Sequence, residues 1–432
     1  MANQTLTVTT TDFTPAGATK VATEPYTLTA NANGNAFLYG TFAVGATVSV
    51  CNGNVEMESH SFTNATEERV SYALDATYPY LTFTADAEQT MTINTYGGYV
   101  LDESMQYSVN GGEWVQLTAK TAITFGGDKG TLRLRGKSAN GTAKSDLSRA
   151  QISFGDDNVQ VACSGDIRTL VDYENHATVS TANARFCSLF ESCKSLTTSP
   201  ELPATTLAES CYEYMFYKCT SLTVAPELPA ATLTEFCYNR MFYKCTSLTV
   251  APELPATTLA QSCYEYMFYG CTSLTVAPEL PAATLAESCY ESMFNGCTSL
   301  TAAPELPATI LAKLCYYQMF SGCINLTAAP ELPATALAIS CYREMFHGCT
   351  NLTAAPELPA TTLVNYCYQG MFYGCTNLSS ITMLATNIPA SGGCLSNWVS
   401  GVASTGTFTK ASAATLETGA SGIPEGWTVV NK

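Results

Sequence analysis

Positive charge is scarce in this sequence. Its 432 residues include 19 Lys and Arg against 36 Asp and Glu, which gives a net charge of −17. Nucleic acids and anionic membranes attract proteins through clustered Lys and Arg, so we expect neither as a partner. The sequence also lacks any run of about 18 apolar residues, so no insertion into a membrane is predicted.

The start of the sequence lacks the pattern of a secretory signal, because residues 1–6 are not basic and no apolar stretch follows them. Two expectations fit this start. Either a signal was removed, or the protein leaves the cytoplasm by another route, such as inside a bacteriophage particle.

Recognisable catalytic motifs are missing as well. The three histidines are scattered, at His60, His176 and His347, and there is no G-x-S-x-G, H-E-x-x-H or P-loop motif. No C-x-x-C or Cys/His ligand spacing is present either. We therefore predict no catalytic residue, no metal and no cofactor.

What the sequence does contain is a unit of 26 residues, repeated seven times without a gap over residues 193–374. Its consensus is C-T-[SN]-L-T-x-A-P-E-L-P-A-x-T-L-x-x-x-C-Y-x-x-M-F-x-[GK]. A fixed period of this length is typical of a solenoid, in which short units stack and bury their apolar faces against each other.

The first half of each copy is predicted to be extended. In the copy 219–244, residues 222–225 have the β-branched alternation of a short strand. Pro226 and Pro229 have no N–H to donate, so the regular strand is expected to stop before Pro226 and continue as an extended turn.

The second half of each copy is predicted to be a helix. Thr232 and Glu235 have the spacing of a capping box, and Leu233, Cys237 and Met241 follow at i, i+4 and i+8. The last position of each copy is Gly or Lys, where a helix end favours a left-handed residue. The unit is therefore interpreted as a strand, a proline-locked turn and a capped helix.

Fifteen of the nineteen cysteines occupy two fixed columns of the repeat. The second cysteine of a copy and the first of the next copy are eight residues apart, about 12 Å along a helix, which is too far for a disulfide. Pairing along either column would need equivalent geometry at every neighbouring copy. We predict reduced, buried cysteines that act as small hydrophobic residues.

The C-T-S-L-T…C-Y-x-x-M-F-x-G-C pattern resembles the 26-residue bacterial surface-protein repeat, a branch of the BspA-type leucine-rich repeats. The resemblance covers the chain from about residue 163 onward. It implies a leucine-rich-repeat solenoid and adhesion or recognition at a surface, and it carries over no catalytic residues.

The fold class is therefore predicted as multidomain, with N-terminal all-β, sandwich-like domains followed by an α/β leucine-rich-repeat solenoid of short strands and short helices. Residues 1–86 are expected to be a β-sandwich-like anchoring domain and residues 87–162 a second β domain. The candidate strands are 6–13, 26–30, 36–44, 47–51, 55–63, 69–74, 81–84, 105–109, 114–118, 121–125, 131–135, 151–154 and 159–163.

Both ends of the repeats are expected to be capped. Residues 163–192 form the predicted N-terminal cap, in which Phe186 and Phe190 anticipate the repeat pattern. Residues 375–432 form a degenerate repeat and a C-terminal cap, with Trp398 in the position of the next repeated Phe. Such caps cover the last hydrophobic face of a repeat array.

The repeat places one glutamate between its two prolines, so that stacking would form an acidic ridge. This ridge fits either a Ca²⁺-rich edge or a docking site for a basic partner. The alternative, which we favour, is a row of solvated turn residues. The ridge consists of Glu201, Glu227, Glu253, Glu279, Glu305, Glu331 and Glu357.

The copies differ most at the two residues before Met-Phe and the one after it. Exposed Tyr beside small polar residues is typical of binding surfaces, since a rigid aromatic ring gives contact area at low entropic cost. The alternative is that solvent-facing positions simply vary. The candidate binding residues are Tyr214, Tyr217, Arg240, Tyr243, Tyr266, Tyr269, Tyr317, Arg343 and Tyr373.

These features predict a non-enzymatic recognition or adhesion protein, displayed as a bacteriophage fibre or decoration towards a bacterial host. The β domains would bind other virion or cell-surface proteins, and the repeats a host surface protein or glycan. A homo-oligomer is compatible with this hypothesis. The alternatives are a bacterial cell-surface leucine-rich-repeat adhesin and, in another class, a glycan-degrading enzyme.

Overall fold

The computed structural model describes residues 78–432, apart from 180, 182–185 and 390, and the backbone of six strands before residue 78. The chain divides into two compact units, Met1–Tyr80 and Leu81–Lys432.

The first unit contains only antiparallel pairings within its described strands. One sheet has the order β3-β1-β5-β6, and β2 pairs with β4. The predicted strand 6–13 corresponds to β1 and the start of β2, which lie in different sheets, and the predicted strand 69–74 lies outside the described residues. The strands are β1 Thr5–Thr10, β2 Phe13–Pro15, β3 Tyr26–Thr29, β4 Gly40–Phe42, β5 Thr47–Asn52 and β6 Val55–Ser61.

The second unit begins with two antiparallel sheets, of order β10-β9-β12-β7-β14 and β11-β8-β13. Sequence reasoning placed β7 in the preceding domain and missed β8, the longest strand. The strands are β7 Leu81–Thr84, β8 Gln89–Tyr96, β9 Gln106–Val109, β10 Val115–Gln116, β11 Ile123–Phe125, β12 Leu132–Arg135, β13 Arg149–Phe154 and β14 Ala162–Ser164.

The two sheets share one core and pack against the N-terminal cap of the repeats. The ring of Phe83, on β7, lies 6.5 Å from that of Phe125 and 5.6 Å from that of Phe154. Phe83 also contacts Phe190 at 6.2 Å, and Ile152 donates its N–H to the Leu189 carbonyl over 2.8 Å. The repeats therefore start on a buried aromatic surface that the β strands supply.

Helices are few in the described residues. They comprise one α-helix of four residues, α1 Thr169–Asp172, and two 3₁₀ turns at Gly127–Lys129 and His176–Thr178. None of these lies in the repeats, so the predicted repeat helix is wrong. Thr232, the expected helix cap, instead forms a parallel bridge with Thr258.

Overlapping turns replace the predicted helix. In the copy 219–244, Cys237, Asn239, Met241 and Tyr243 each donate their N–H to the carbonyl three residues earlier. Every fourth residue is left-handed, with φ of 55° at Phe236, 53° at Arg240 and 56° at Lys244. The apolar stripe at i, i+4 and i+8 thus reflects a true period of four residues.

The remaining N–H groups join neighbouring copies. Tyr238 donates to the Cys263 carbonyl over 3.1 Å, and Phe242 to Met267 over 3.0 Å. Each such bond runs to the residue 25 positions later, so the ladder continues from copy to copy. This pairing satisfies the buried backbone groups that a helix would satisfy internally.

The core between the copies consists of stacked side chains in register. Rings of the Phe column from Phe216 to Phe372 lie 5.6–5.8 Å apart, and those of the Tyr column from Tyr212 to Tyr368 lie 5.7–6.0 Å apart. Trp398 continues the Phe column, as expected, 6.1 Å from Phe372.

Regular parallel strands form only at the C-terminal end of the repeats. Earlier copies make isolated parallel bridges, such as Val224 with Val250. The parallel sheet has the order β15-β16-β17-β18. Its strands are β15 Ala354–Leu358, β16 Ser380–Met383, β17 Thr407–Lys410 and β18 Thr428–Asn431.

One strand runs through the proline that was expected to end it. β15 includes Pro356, and the register between β15 and β16 shifts between Ala354 and Glu357. An irregularity of this kind tolerates the missing N–H of a proline within a sheet.

The cysteines of the described residues are buried and form no disulfide, as the sequence predicted. In the column after each turn segment, the thiols from Cys219 to Cys375 donate a hydrogen bond to the main-chain carbonyl 29 residues earlier. Cys245, for example, donates to Phe216 over 3.0 Å. The cysteine is therefore a small hydrophobic residue that also carries a donor.

Candidate recognition surface

One contiguous surface of the first three copies combines aromatic and basic side chains. Because the backbone pattern repeats every four residues, two consecutive side chains point into the core and the next two point outward. The positions around Arg240 and Tyr243 therefore recur on one side of the stack. We call this surface the tyrosine–lysine patch. It consists of Tyr214, Tyr217, Lys218, Arg240, Tyr243, Lys244, Tyr266 and Tyr269.

Three tyrosines of the patch stack face to face. The rings of Tyr217 and Tyr243 are 4.7 Å apart and inclined by 12°, and those of Tyr243 and Tyr269 are 4.7 Å apart and inclined by 6°. All three side chains are partly exposed. Because the faces cover one another, solvent meets the ring edges of Tyr243 rather than its faces.

Arg240 lies between two further tyrosines. Its guanidinium carbon is 5.5 Å from the ring centre of Tyr214 and 4.5 Å from that of Tyr266, within the range of cation–π contacts. The same guanidinium lies 3.5 Å from a carboxylate oxygen of Glu265. Its charge is thus largely engaged within the patch.

The two lysines of the patch contact aromatic rings instead of carboxylates. The Nζ of Lys218 is 5.0 Å from the ring centre of Tyr217, and that of Lys244 is 5.5 Å from Tyr243. Both lysines are exposed. By contrast, the exposed Lys313 forms an ion pair of 2.7 Å with Glu287.

Carboxyl groups beside the patch are partly neutralised by their surroundings. Burial raises the pKa of Glu213 to about 7, although a hydrogen bond with Ser210 opposes this shift. Burial also raises the pKa of Glu291 above its ordinary value. The Glu265 carboxylate accepts a hydrogen bond from the Asn239 amide over 3.1 Å, in addition to its contact with Arg240.

The phenols of Tyr214, Tyr243 and Tyr266 remain protonated at neutral pH. Burial raises the pKa of Tyr243, and the neighbouring Tyr269 and Tyr217 raise it further. Burial likewise raises the pKa of Tyr214 and Tyr266. These side chains therefore present hydroxyl groups as hydrogen-bond donors.

The structure does not bring every candidate residue into this patch. Tyr317 and Arg343 form a separate cation–π pair at 5.2 Å, two copies further along. Tyr373 stacks on His347 at 4.9 Å, with parallel rings. Polar Asn295 and Ser321 occupy the intervening positions of the Tyr217 column and interrupt the aromatic row.

Sequence reasoning missed the two lysines as surface residues, because it read their column only as a helix end. The signal was present, since Lys218 and Lys244 replace the Gly of the other copies beside the column's consecutive tyrosines. It also missed the stacking of His347, which occupies the same column as those tyrosines.

The seven glutamates of the acidic ridge are all exposed. Clefts between adjacent loops are lined by their carboxyl groups and by prolines, and the cleft formed by Glu227, Glu253 and their flanking prolines has a volume of about 370 Å³. At the end of the ridge, a carboxylate oxygen of Glu357 forms an ion pair with the Nζ of Lys432 at 2.5 Å.

The described residues hold no group of three or more His, Cys, Asp or Glu side chains placed to bind a metal ion. No helix in the same part of the chain has the length and apolar character needed to span a membrane.

Stacked 26-residue copies with an in-register core define a repeat protein, and the exposed patch is carried on that repeat array. The family described as BspA type leucine rich repeat region matches residues 186–327 and 262–397 in six copies. The repeat region of this chain therefore belongs to the BspA-type leucine-rich repeat family. No curated protein matches the chain.

Proposed function

We propose that this chain is a non-enzymatic recognition or adhesion protein whose repeats form a solenoid displayed at a surface. The observation that carries the proposal is the tyrosine–lysine patch, where stacked rings and exposed ammonium groups lie on a regular backbone ladder. Such a ladder holds the side chains in place before a ligand arrives, which lowers the entropic cost of binding.

The two-unit organisation supports display. The first unit, Met1–Tyr80, is a compact unit distinct from the one that contains the repeats, and we propose that it binds a virion or cell-surface protein. We propose a bacteriophage virion as the setting and a host surface protein or glycan as the partner of the repeats. A bacterial cell-surface adhesin is the alternative.

Mass spectrometry of purified phage particles and of cell envelopes from the source distinguishes these settings. The proposal expects the chain in the particles, in stoichiometric amounts and resistant to washing. Recovery from the cell envelope alone would favour the bacterial adhesin.

Recognition is tested by incubating the purified full chain with intact host cells and measuring the bound fraction. We expect saturable binding that a Tyr243→Ala, Lys244→Gln variant weakens and that a Lys313→Gln control retains. Absence of saturable binding to host cells would contradict the proposal.

A glycan-degrading enzyme is the alternative from another class. Such an enzyme needs an acid and a base at one cleft, whereas the ridge offers rows of equivalent carboxyl groups. Incubation with host capsular glycan, followed by chromatography of the products, should leave the polymer length unchanged. Shortened fragments would overturn the non-enzymatic assignment.

A further inference from the structure

The stacking of Tyr217, Tyr243 and Tyr269 restricts what the patch can bind. Sugar rings and nucleobases that bind aromatic side chains lie on the ring face. Here the rings are 4.7 Å apart, which leaves no room for a ligand between them. A ligand running along this row meets ring edges and hydroxyl groups instead.

The row is rich in hydrogen-bond donors. Next to each of the first two stacked tyrosines lies an exposed lysine, Lys218 or Lys244, that contacts the ring and forms no ion pair among the described residues. An ammonium group carries only donors, and a protonated phenol can donate as well. Donors in a row match a ligand that carries anionic oxygens.

The acidic residues nearby determine which part of the patch attracts an anion. Glu213 is partly protonated near neutral pH, and Glu265 is paired with Arg240, as described above. Glu209 and Glu235, which stand earlier in the same copies, are exposed. The free positive charges of the patch are therefore those of the two lysines beside the Tyr217 column, because Glu191, one period before Tyr217, is paired with Arg149 over 2.8 Å.

The spacing of the row favours a polymer over a single small anion. Equivalent side chains recur every 4.7 Å along the stack, so an extended chain with regularly spaced charges contacts one copy after another. Once one segment of the polymer is bound, each further contact forms within the same complex, which raises the overall affinity without a new type of interaction.

We propose that the tyrosine–lysine patch binds an anionic polysaccharide, through the ring edges and hydroxyls of its stacked tyrosines and the ammonium groups of Lys218 and Lys244. The polymer carries carboxylate or sulfate groups on its sugars and lies along the repeat axis. This inference rests on the proposed recognition function and specifies its ligand.

The test uses polymers that share one backbone: dextran sulfate, carboxymethyl dextran and neutral dextran. Binding of the full chain is measured by biolayer interferometry at physiological ionic strength. We expect binding to both anionic polymers and none to dextran. The double variant Lys218→Gln, Lys244→Gln should weaken binding by about tenfold or more, because charged hydrogen bonds are lost.

Three further variants complete the test. Lys313→Gln, an exposed lysine outside the patch, should bind as the unchanged protein does, and Tyr243→Phe should bind more weakly because it removes only a hydroxyl. Lys218→Gly with Lys244→Gly places the residue of the other copies in both positions and guards against misfolding.

Several outcomes would overturn the inference: equal binding of neutral dextran, unchanged binding by the lysine variants, or single-stranded DNA binding as tightly as dextran sulfate. If the lysine variants still bind host cells, the ligand assignment fails while recognition stands. If the unchanged protein binds the anionic polymers but not cells, the recognition function fails instead.

Discussion

The thiol of Cys271 donates a hydrogen bond to the carbonyl oxygen of Phe242, 29 residues earlier, over 3.1 Å. The same carbonyl accepts the N–H of Cys245 over 3.0 Å, as part of a turn. The cysteine column therefore joins adjacent copies by a side-chain bond as well as by packing, which accounts for a cysteine where another small apolar residue would fit.

Replacing Cys271 tests this bond. Cys271→Ala removes the donor and leaves a small cavity, so we expect the free energy of unfolding to fall by about 1–3 kcal/mol. Cys271→Ser keeps a donor and should cost less than Cys271→Ala. Urea denaturation followed by circular dichroism measures both. A serine variant less stable than the alanine variant would show that the bond contributes little.

The buried thiols predict a loss of stability at alkaline pH. Burial raises the pKa of Cys271 and of Cys323 to about 12, whereas an unfolded thiol titrates near about 8.5. Between these values the unfolded chain loses protons that the folded chain keeps, so stability is complete below about 8.5 and falls as the pH rises. Melting temperatures measured from pH 7 to pH 11 should therefore decline.

The same burial predicts that the thiols are chemically inert in the folded protein, because the thiolate is the reactive species. A chromogenic disulfide reagent at pH 8 should modify almost none of the repeat cysteines until a denaturant is added. Rapid modification of several cysteines in the folded protein would contradict the packing of the two columns.

The Phe column predicts a large cost for one truncation in mid-stack. Phe268 stacks between Phe242 and Phe294, at 5.6 and 5.7 Å, so Phe268→Ala should lower the free energy of unfolding by about 3–5 kcal/mol. Phe268→Leu, which retains most of the volume, is the matched control. Similar stabilities of the two variants would mean that the column is loosely packed.

The cost of a left-handed backbone can be measured at Gly296, because a side chain added there meets no close neighbour. Gly296 has a φ of 73°, and a Cβ there would meet nothing closer than 3.7 Å, so Gly296→Ala costs backbone strain alone. We expect about 1–2 kcal/mol, whereas Lys244→Gly, at a φ of 56°, should relieve comparable strain. The gain in stability from Lys244→Gly is reduced because glycine gives the unfolded chain more conformational entropy. Thermal unfolding of both variants checks the opposite signs.

Several elements were predictable because their signals are local. The alternation of Leu81 and Phe83 indicated a strand, and the period of 26 placed Trp398 in the Phe column. β8 could also have been found, because Met91 and Ile93 alternate with polar residues and are buried. The partners of β7 could not be predicted, since strand pairing depends on residues far away in the sequence.

The prediction of a helix in each repeat was wrong for a physical reason. A stripe at i, i+4 and i+8 fits both a helix of period 3.6 and a series of turns of period 4, and one copy is too short to separate them. Bulky Phe236, Leu314 and Tyr366 adopt positive φ, which local propensity disfavours. Only the bonds from each copy to the next offset that strain.

The amino-acid sequence by itself determined the repeat length, the register of the apolar columns and the reduced state of the cysteines, because these follow from residue type and spacing. The tertiary structure alone decided that each copy is a chain of turns and that its tyrosines stack edge-outward beside the lysines. Both depend on hydrogen bonds and ring contacts between residues about one period apart, which no single copy can form.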